Sequence, residues 1–192
     1  MPRPVLTALL AAAAVMCCVA MAMPQVHLVA YCADLGFGAA RGAEMLSVMF
    51  AVGIASRMFF GFVADRIGGL ANLLLGSFLQ MASLTLYLFF DGLASLYIVS
   101  ALFGLVQGGI VPSYALVVRE YFPSAEAGTR VGLVIMASLF GMGFGGWLAG
   151  AIFDSTGSYS AAFLNGVVWN AANVALVLWL LSRRRVAGAV PA

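Results

Sequence analysis

Six long apolar runs dominate this sequence, and each is long enough to cross a lipid bilayer. A spanning α-helix needs about 20 predominantly apolar residues. Backbone groups inside lipid must be hydrogen-bonded within a helix or a closed barrel. These runs do not alternate between polar and apolar residues, which excludes a barrel. We therefore predict six helices, at Val5–Cys32, Ala43–Ala64, Leu70–Phe90, Leu93–Val118, Val131–Phe153 and Tyr159–Leu181.

The scarcity of charge supports the same class. Only 8% of the 192 residues are charged and 64% are hydrophobic, whereas about a quarter of the residues of a soluble domain are charged. The sequence predicts an all-α membrane protein, a single six-helix bundle ending in a short basic tail at residues 182–192. The net charge of +2 gives no reason to expect a nucleic-acid partner.

The arginines are distributed unequally between the two sides of the predicted bundle. One side carries seven of them, and the other carries Arg41 alone; the seven are Arg3, Arg66, Arg119, Arg130, Arg183, Arg184 and Arg185. Positive charge is enriched in cytoplasmic loops, so we expect both termini in the cytoplasm and the chain in the plasma (inner) membrane. Arg3 and the small residues Ala20 and Ala22 are also features of a cleaved signal peptide. The apolar run continues beyond them, which favours a retained helix.

The short turn between the second and third runs carries a motif. It reads Gly61-x-x-x-Asp65-Arg66-x-Gly68-Gly69. It resembles the signature loop of the major facilitator superfamily, Gly-x-x-x-Asp-Arg/Lys-x-Gly-Arg/Lys, although Gly69 stands where Arg or Lys is usual.

Three further stretches extend this resemblance over nearly the whole chain. Arg119–Gly132 is similar to the family's link between helices ten and eleven, and Phe153–Tyr159 to its turn before helix twelve. Pro24–Phe37 resembles helix seven of the monocarboxylate and oxalate/formate branch. The chain is identified by these motifs as the C-terminal half, helices seven to twelve, of such a carrier.

The resemblance implies partners and a gate. The family has two six-helix halves around a site near the bilayer midplane, so we expect this chain to pair with a missing N-terminal half or a second copy. Gating residues are expected at Gly61, Asp65, Arg66 and Gly68. Asp65 would face a helix N-terminus in the opposite half, where the helix dipole favours negative charge.

Arg57 is the first candidate for a substrate-binding residue. A charge near the bilayer centre costs roughly 2.5–3.5 kcal/mol, and a guanidinium can bind a carboxylate through two parallel hydrogen bonds. Its long stem could instead carry the charge to the interface. The resemblance supports binding, because carriers of this branch place an arginine four residues before the first glycine of the loop, as Arg57 precedes Gly61. An acidic partner often precedes that arginine by one turn, but here that position is Gly53.

Other polar residues in the runs are candidates to line the site: Gln25, His27, Tyr31, Gln107 and Asn170. Gln25 and Gln107 lie close to the helix-bending residues Pro24 and Pro112. His27, the only histidine, could carry a coupling proton or pack through a hydrogen bond. The pairs Gly141/Gly145 and Gly146/Gly150 are spaced for the close approach of a neighbouring helix.

The expected function is secondary active transport of small organic anions, with monocarboxylates as the first candidate class and a proton symporter as the candidate coupling. A carrier for a neutral solute or drug and a six-helix scaffold or regulatory protein are the alternatives. An enzyme is not expected, because the sequence has neither H-E-x-x-H nor G-x-S-x-G. The three cysteines all lie in the first run without metal-ligand spacing, so no metal and no cofactor is expected.

Overall fold

The computed structural model describes residues 2–188, with side chains as far as Arg183. Within that part the chain forms seven α-helices: α1 (Arg3–Asp34), α2 (Ala39–Ile67), α3 (Gly69–Leu86), α4 (Leu93–Gln107), α5 (Ile110–Tyr121), α6 (Ser124–Thr156) and α7 (Tyr159–Gly188). Because α4 and α5 together make one span, six segments of the described chain are long and apolar enough to cross a membrane. The predicted all-α membrane fold is thereby confirmed.

The fourth span is broken where the sequence predicts one helix, Leu93–Val118. The chain leaves α4 at Gln107, passes through Gly108 and Gly109, and enters α5 at Ile110. Pro112 has no backbone N–H to bond the carbonyl of Gly108, four residues earlier. This proline and the two glycines before it account for the break.

Other helix ends also differ from the predicted bounds. The helix α3 ends at Leu86, because residues 87–89 form a turn in which each N–H bonds the carbonyl three residues earlier. The helix α6 begins at Ser124 rather than Val131, because Arg130 and Glu126 are four residues apart and form an ion pair of 2.7 Å that stabilises a polar first turn. The predicted tail, 182–192, continues α7 as far as Gly188, and residues 189–192 lie outside the described part.

The helix α1 lies at the centre of the bundle and packs against α2, α6 and α7. Its middle turns are almost wholly buried, and Pro24 is buried within a helix that continues to Asp34. Two glycines of α6 allow close contact with α1. A Cβ atom on Gly145 would lie 2.6 Å from the Cα atom and carbonyl oxygen of Val19, and one on Gly141 would lie 2.7 Å from the carbonyl oxygen of Val15. The predicted close approach at this pair is therefore a contact between α6 and α1.

The two ends of the bundle differ in their charges. At one end, the start of α1 is joined to the start of α6 by an ion pair of 3.1 Å between Arg3 and Glu126. We call this the basic end, and Arg66, Arg119 and Arg130 also belong to it. At the other end Arg41 pairs with Glu44 at 2.8 Å. The arginines that the sequence assigns to one side, as far as they are described, thus share one end of the bundle.

Candidate functional site

A cavity of about 250 Å³ lies where α1, α2, the α4–α5 break and α6 meet. Three of the predicted site residues, Gln25, Arg57 and Gln107, line it together. The rest of the lining is largely apolar and comprises Cys18, Met21, Phe50, Gly53, Gly108, Val111, Pro112, Ser138, Leu139 and Met142. Apolar walls with a few converging polar groups are typical of small-molecule sites.

Arg57 has no counter-ion among the side chains that the structure describes. Within residues 2–188 it forms neither a hydrogen bond nor an ion pair, whereas Arg3, Arg41 and Arg130 are all paired with glutamates. Its side chain is exposed at the edge of the cavity, on the face of α2 that no other helix covers. An unpaired guanidinium beside an apolar cavity has all its donors available for an anion.

Gln25 and Gln107 are hydrogen-bonded to each other across the cavity wall, with Nε2 of Gln25 donating to Oε1 of Gln107. Gln107 is the last residue of α4, so this bond joins the middle of α1 to the helix break. Paired amides retain further donors and acceptors, and they line the same cavity as the guanidinium.

His27 lies outside this cavity. Its Nε2 atom is 2.9 Å from the carbonyl oxygen of Gly146, and a Cβ atom on Gly150 would lie 3.5 Å from the ring. In the second glycine pair of α6, Gly150 therefore faces the imidazole, whereas a Cβ atom on Gly146 would meet Val26 at 3.2 Å. This arrangement is the packing alternative that the sequence left open.

Tyr31 and Asn170 also lie away from the cavity lining. The ring of Tyr31 packs 4.9 Å from that of Tyr159, at the end of the bundle opposite the basic end. Asn170 is fully buried and donates to the backbone carbonyl of Ser77 at 2.8 Å, which holds α7 against α3. Asn173, three residues later, contacts the same serine, so this spacing identifies a helix contact.

The expected gating residues lie at the junction of α2 and α3. Asp65 and Arg66 are exposed, and the guanidinium of Arg66 lies 4.3 Å above the ring of Phe62. Gly68 alone joins the two helices, with φ +84°, a conformation that favours glycine. A Cβ atom on Gly61 would have no neighbour within 4 Å among the described residues, so a side chain there would enter open space.

Sequence reasoning overlooked the residues that place the site. Gly104 and Gly108 are four apart, a spacing that signals close helix packing, and they bring α4 against α2. Gly53 occupies the position of the missing acidic partner, and a Cβ atom there would lie 3.4 Å from the carbonyl oxygen of Gly104 and 3.9 Å from Nε2 of Gln107. A Cβ atom at position 53 would therefore be in ordinary van der Waals contact with α4.

The rest of the described chain offers no second group of predicted substrate-binding residues at a cavity and no metal site. A larger cavity, of about 520 Å³, opens at the basic end beside Arg119 and Phe122, but it contains none of the predicted substrate-binding residues. Among the described residues, no three His, Cys, Asp or Glu side chains are grouped so that they could hold a metal ion.

Three curated proteins are similar to most of this chain. Monocarboxylate transporter 13 of Rattus norvegicus is 31% identical over 144 residues, which are 74% of this chain and 34% of that protein. The Bos taurus protein of the same name gives the same values. Probable anion transporter 5 of Arabidopsis thaliana is 28% identical over 149 residues, 76% of this chain and 33% of its own length. The chain spans about a third of the length of these relatives.

Solved structures with the same fold come from peptide transporters. The POT family transporter PepTSo superposes with a TM-score of 0.77 at 17% identity, over 96% of this chain and 38% of that one. An auto-inhibited POT family peptide transporter gives 0.76 at 19% identity, over 95% and 38%. At these identities the likeness concerns the fold alone. The family model for the Major Facilitator Superfamily matches residues 3–192, and the chain therefore belongs to the Major Facilitator Superfamily.

Proposed function

We propose that this chain is one half of a secondary active carrier for small organic anions, with Arg57 as the anion anchor. The observation that carries the proposal is the unpaired guanidinium at the cavity that Gln25 and Gln107 also line. The names of the relatives, a monocarboxylate transporter and a probable anion transporter, support an anionic substrate.

The energetics favour an anion at this position. A lone charge within a membrane span is costly, and no carboxylate among the described residues compensates Arg57. A substrate carboxylate would supply the counter-charge through two charge-assisted hydrogen bonds. The apolar walls formed by Met21, Phe50 and Met142 would accept a short hydrocarbon tail, which favours monocarboxylates.

The site also needs a second wall. Arg57 and the α2 side chains Met58 and Ile54 are exposed, the last two by 80% and 67%. We propose that a second six-helix body, a separate N-terminal half or another copy of this chain, covers this face. The two bodies would rock about the substrate to give alternating access. We also propose that both termini are cytoplasmic, with the basic end facing inward.

The proposed coupling to protons does not run through His27. His27 bonds α6 and does not line the cavity, so we propose that it positions α1. The carboxylates of the basic end, Asp65 among them, are the remaining candidates for a coupling proton.

Uptake by proteoliposomes containing the purified chain tests the proposal. Propionate and propionamide have almost the same shape and differ in charge, so an anion site transports propionate and is not inhibited by propionamide. Equal transport of both would favour a carrier for neutral solutes. Transport of neither, by the chain alone and by the chain with a separate N-terminal half added, would favour the scaffold alternative. Native mass spectrometry of the same sample tests self-pairing, which predicts a species of twice the chain mass.

A further inference from the structure

Ser56, the residue before Arg57, joins α2 to α4 through its side chain. Its side chain is fully buried, and its Oγ atom donates a hydrogen bond to the backbone carbonyl of Leu105 in α4. Leu105 lies in the last turn of α4, two residues before Gln107. Carbonyls in the last turn of a helix lack an intrahelical donor, and Ser56 supplies one.

Backbone contacts on either side of this bond fix the distance between the two helices. A Cβ atom on Gly104 would lie 2.2 Å from the carbonyl oxygen of Met49, and one on Gly108 would lie 2.3 Å from that of Gly53. The two backbones therefore touch one turn apart along both helices. These glycines set how close α4 comes to α2, while the bond from Ser56 sets its register along the axis.

Register matters here because the neighbouring residues line the cavity. On α2 the residue after Ser56 is Arg57, and on α4 the residue before Gly108 is Gln107. Gln107 in turn binds Gln25 on α1. A shift of α4 past α2 would displace the amide pair relative to the guanidinium.

We propose that Ser56 is a positioning residue of the anion site, which holds Gln107 and its partner Gln25 at a fixed height opposite Arg57. In this proposal Ser56 does not contact the substrate and acts only through its hydrogen bond to the carbonyl of Leu105. The proposal rests on the anion site of the preceding section for its effect on affinity, but its structural part can be tested separately.

The first test compares Ser56→Ala with Ser47→Ala in propionate uptake. Ser47 is an exposed serine of the same helix whose hydroxyl bonds its own helix, at the carbonyl of Ala43. Loss of one side-chain hydrogen bond corresponds to roughly a two- to tenfold change in affinity. We expect KM to rise by that factor in Ser56→Ala with Vmax retained, and to stay unchanged in Ser47→Ala. Ser56→Cys, which keeps the size and has a weak donor, should lie between the two.

The second test needs no transport. In a background with alanine at the three native cysteines, a Gln107→Cys reporter is labelled by a water-soluble maleimide, with Ser56 intact or replaced by alanine. We expect faster labelling in Ser56→Ala, because the end of α4 is released. Unchanged labelling and unchanged KM would overturn the proposal. Faster labelling with unchanged KM would confirm that Ser56 restrains α4 but would contradict its role in anion binding. If Ser56→Ala and Ser47→Ala both fail to elute as folded protein in size-exclusion chromatography, these serines have a general packing role, and the proposal is overturned as well.

Discussion

The carboxylate of Glu120 accepts a hydrogen bond from the backbone N–H of Gly69 at 2.7 Å. Gly69 is the first residue of α3 and Glu120 lies near the end of α5, so the bond joins two turns at the basic end. A Cβ atom on Gly69 would lie only 2.9 Å from the backbone nitrogen of Val117. Gly69, the loop position where the superfamily usually has Arg or Lys, thus packs closely against α5. Its backbone N–H, rather than a side chain, makes the hydrogen bond to that helix.

Replacement of Glu120 should loosen the basic end. A carboxylate at an exposed helix N-terminus stabilises the folded protein by about 0.3–1 kcal/mol. We therefore expect Glu120→Ala to lower the midpoint of thermal unfolding in detergent. Glu120→Gln keeps a hydrogen-bond acceptor and should lower the midpoint less. Asp154→Asn is the control, because Asp154 is exposed and has no hydrogen-bond partner among the described residues. A Glu120→Ala midpoint equal to that of the control would contradict this assignment.

Two glycines of α6 should respond oppositely to alanine. A Cβ atom on Gly143 would meet nothing within 4 Å, whereas one on Gly145 would meet the backbone of α1 at 2.6 Å. Both changes gain about 1 kcal/mol of helix propensity, but overpacking at Gly145 costs about 1–3 kcal/mol. We expect the unfolding midpoint to fall for Gly145→Ala and to hold or rise for Gly143→Ala. The same response in both variants would show that α1 can move away from α6 at no cost.

His27→Ala should affect stability more than transport. The imidazole bonds the carbonyl of Gly146 and lies outside the cavity, so its removal deletes a hydrogen bond between α1 and α6. We expect a lower unfolding midpoint, an unchanged KM for propionate and an unchanged pH profile of uptake. A flattened pH profile would instead identify His27 as the group that carries a coupling proton.

Asp65→Asn should slow transport more than it weakens binding. Asp65 is exposed and unpaired within the described residues, as expected of a residue whose counterpart belongs to the second body. We expect Vmax for propionate to fall with KM nearly constant. Normal turnover in this variant would refute the gating role. Arg66→Gln, at the adjacent cationic residue, is a second variant for the same comparison of Vmax and KM.

Hydropathy predicts the membrane spans because crossing a bilayer imposes a length and a composition on each helix. It does not predict where a polar helix begins, so it misses the first turns of α6, which the Glu126–Arg130 pair stabilises. The break after Gln107 was partly visible, since Pro112 was recognised as a helix-bending residue. Whether Pro112 bends or interrupts the span depends on packing against α2.

The site could be predicted only in part for a related reason. Arg57, Gln25 and Gln107 do line one cavity, whereas Tyr31, His27 and Asn170 bind other helices. A polar residue in a span can face a cavity or a neighbouring helix, and sequence spacing alone does not distinguish the two. Ser56 and Glu120 were missed because their partners are backbone groups, which leave no pattern in a single sequence.

The central claim is that Arg57 binds the carboxylate of the substrate, and uptake by Arg57 variants tests it most directly. Hydrogen bonds to charged groups contribute about 1.5–3 kcal/mol, so Arg57→Gln should raise KM for propionate roughly tenfold or more. The KM of Arg57→Lys should lie between that of Arg57→Gln and that of the parent chain. Arg41→Gln is the matched control, because Arg41 pairs with Glu44 at the opposite end and its loss should leave uptake unchanged. If Arg57→Gln transports propionate with the KM and Vmax of the parent chain, the anion site is not at Arg57.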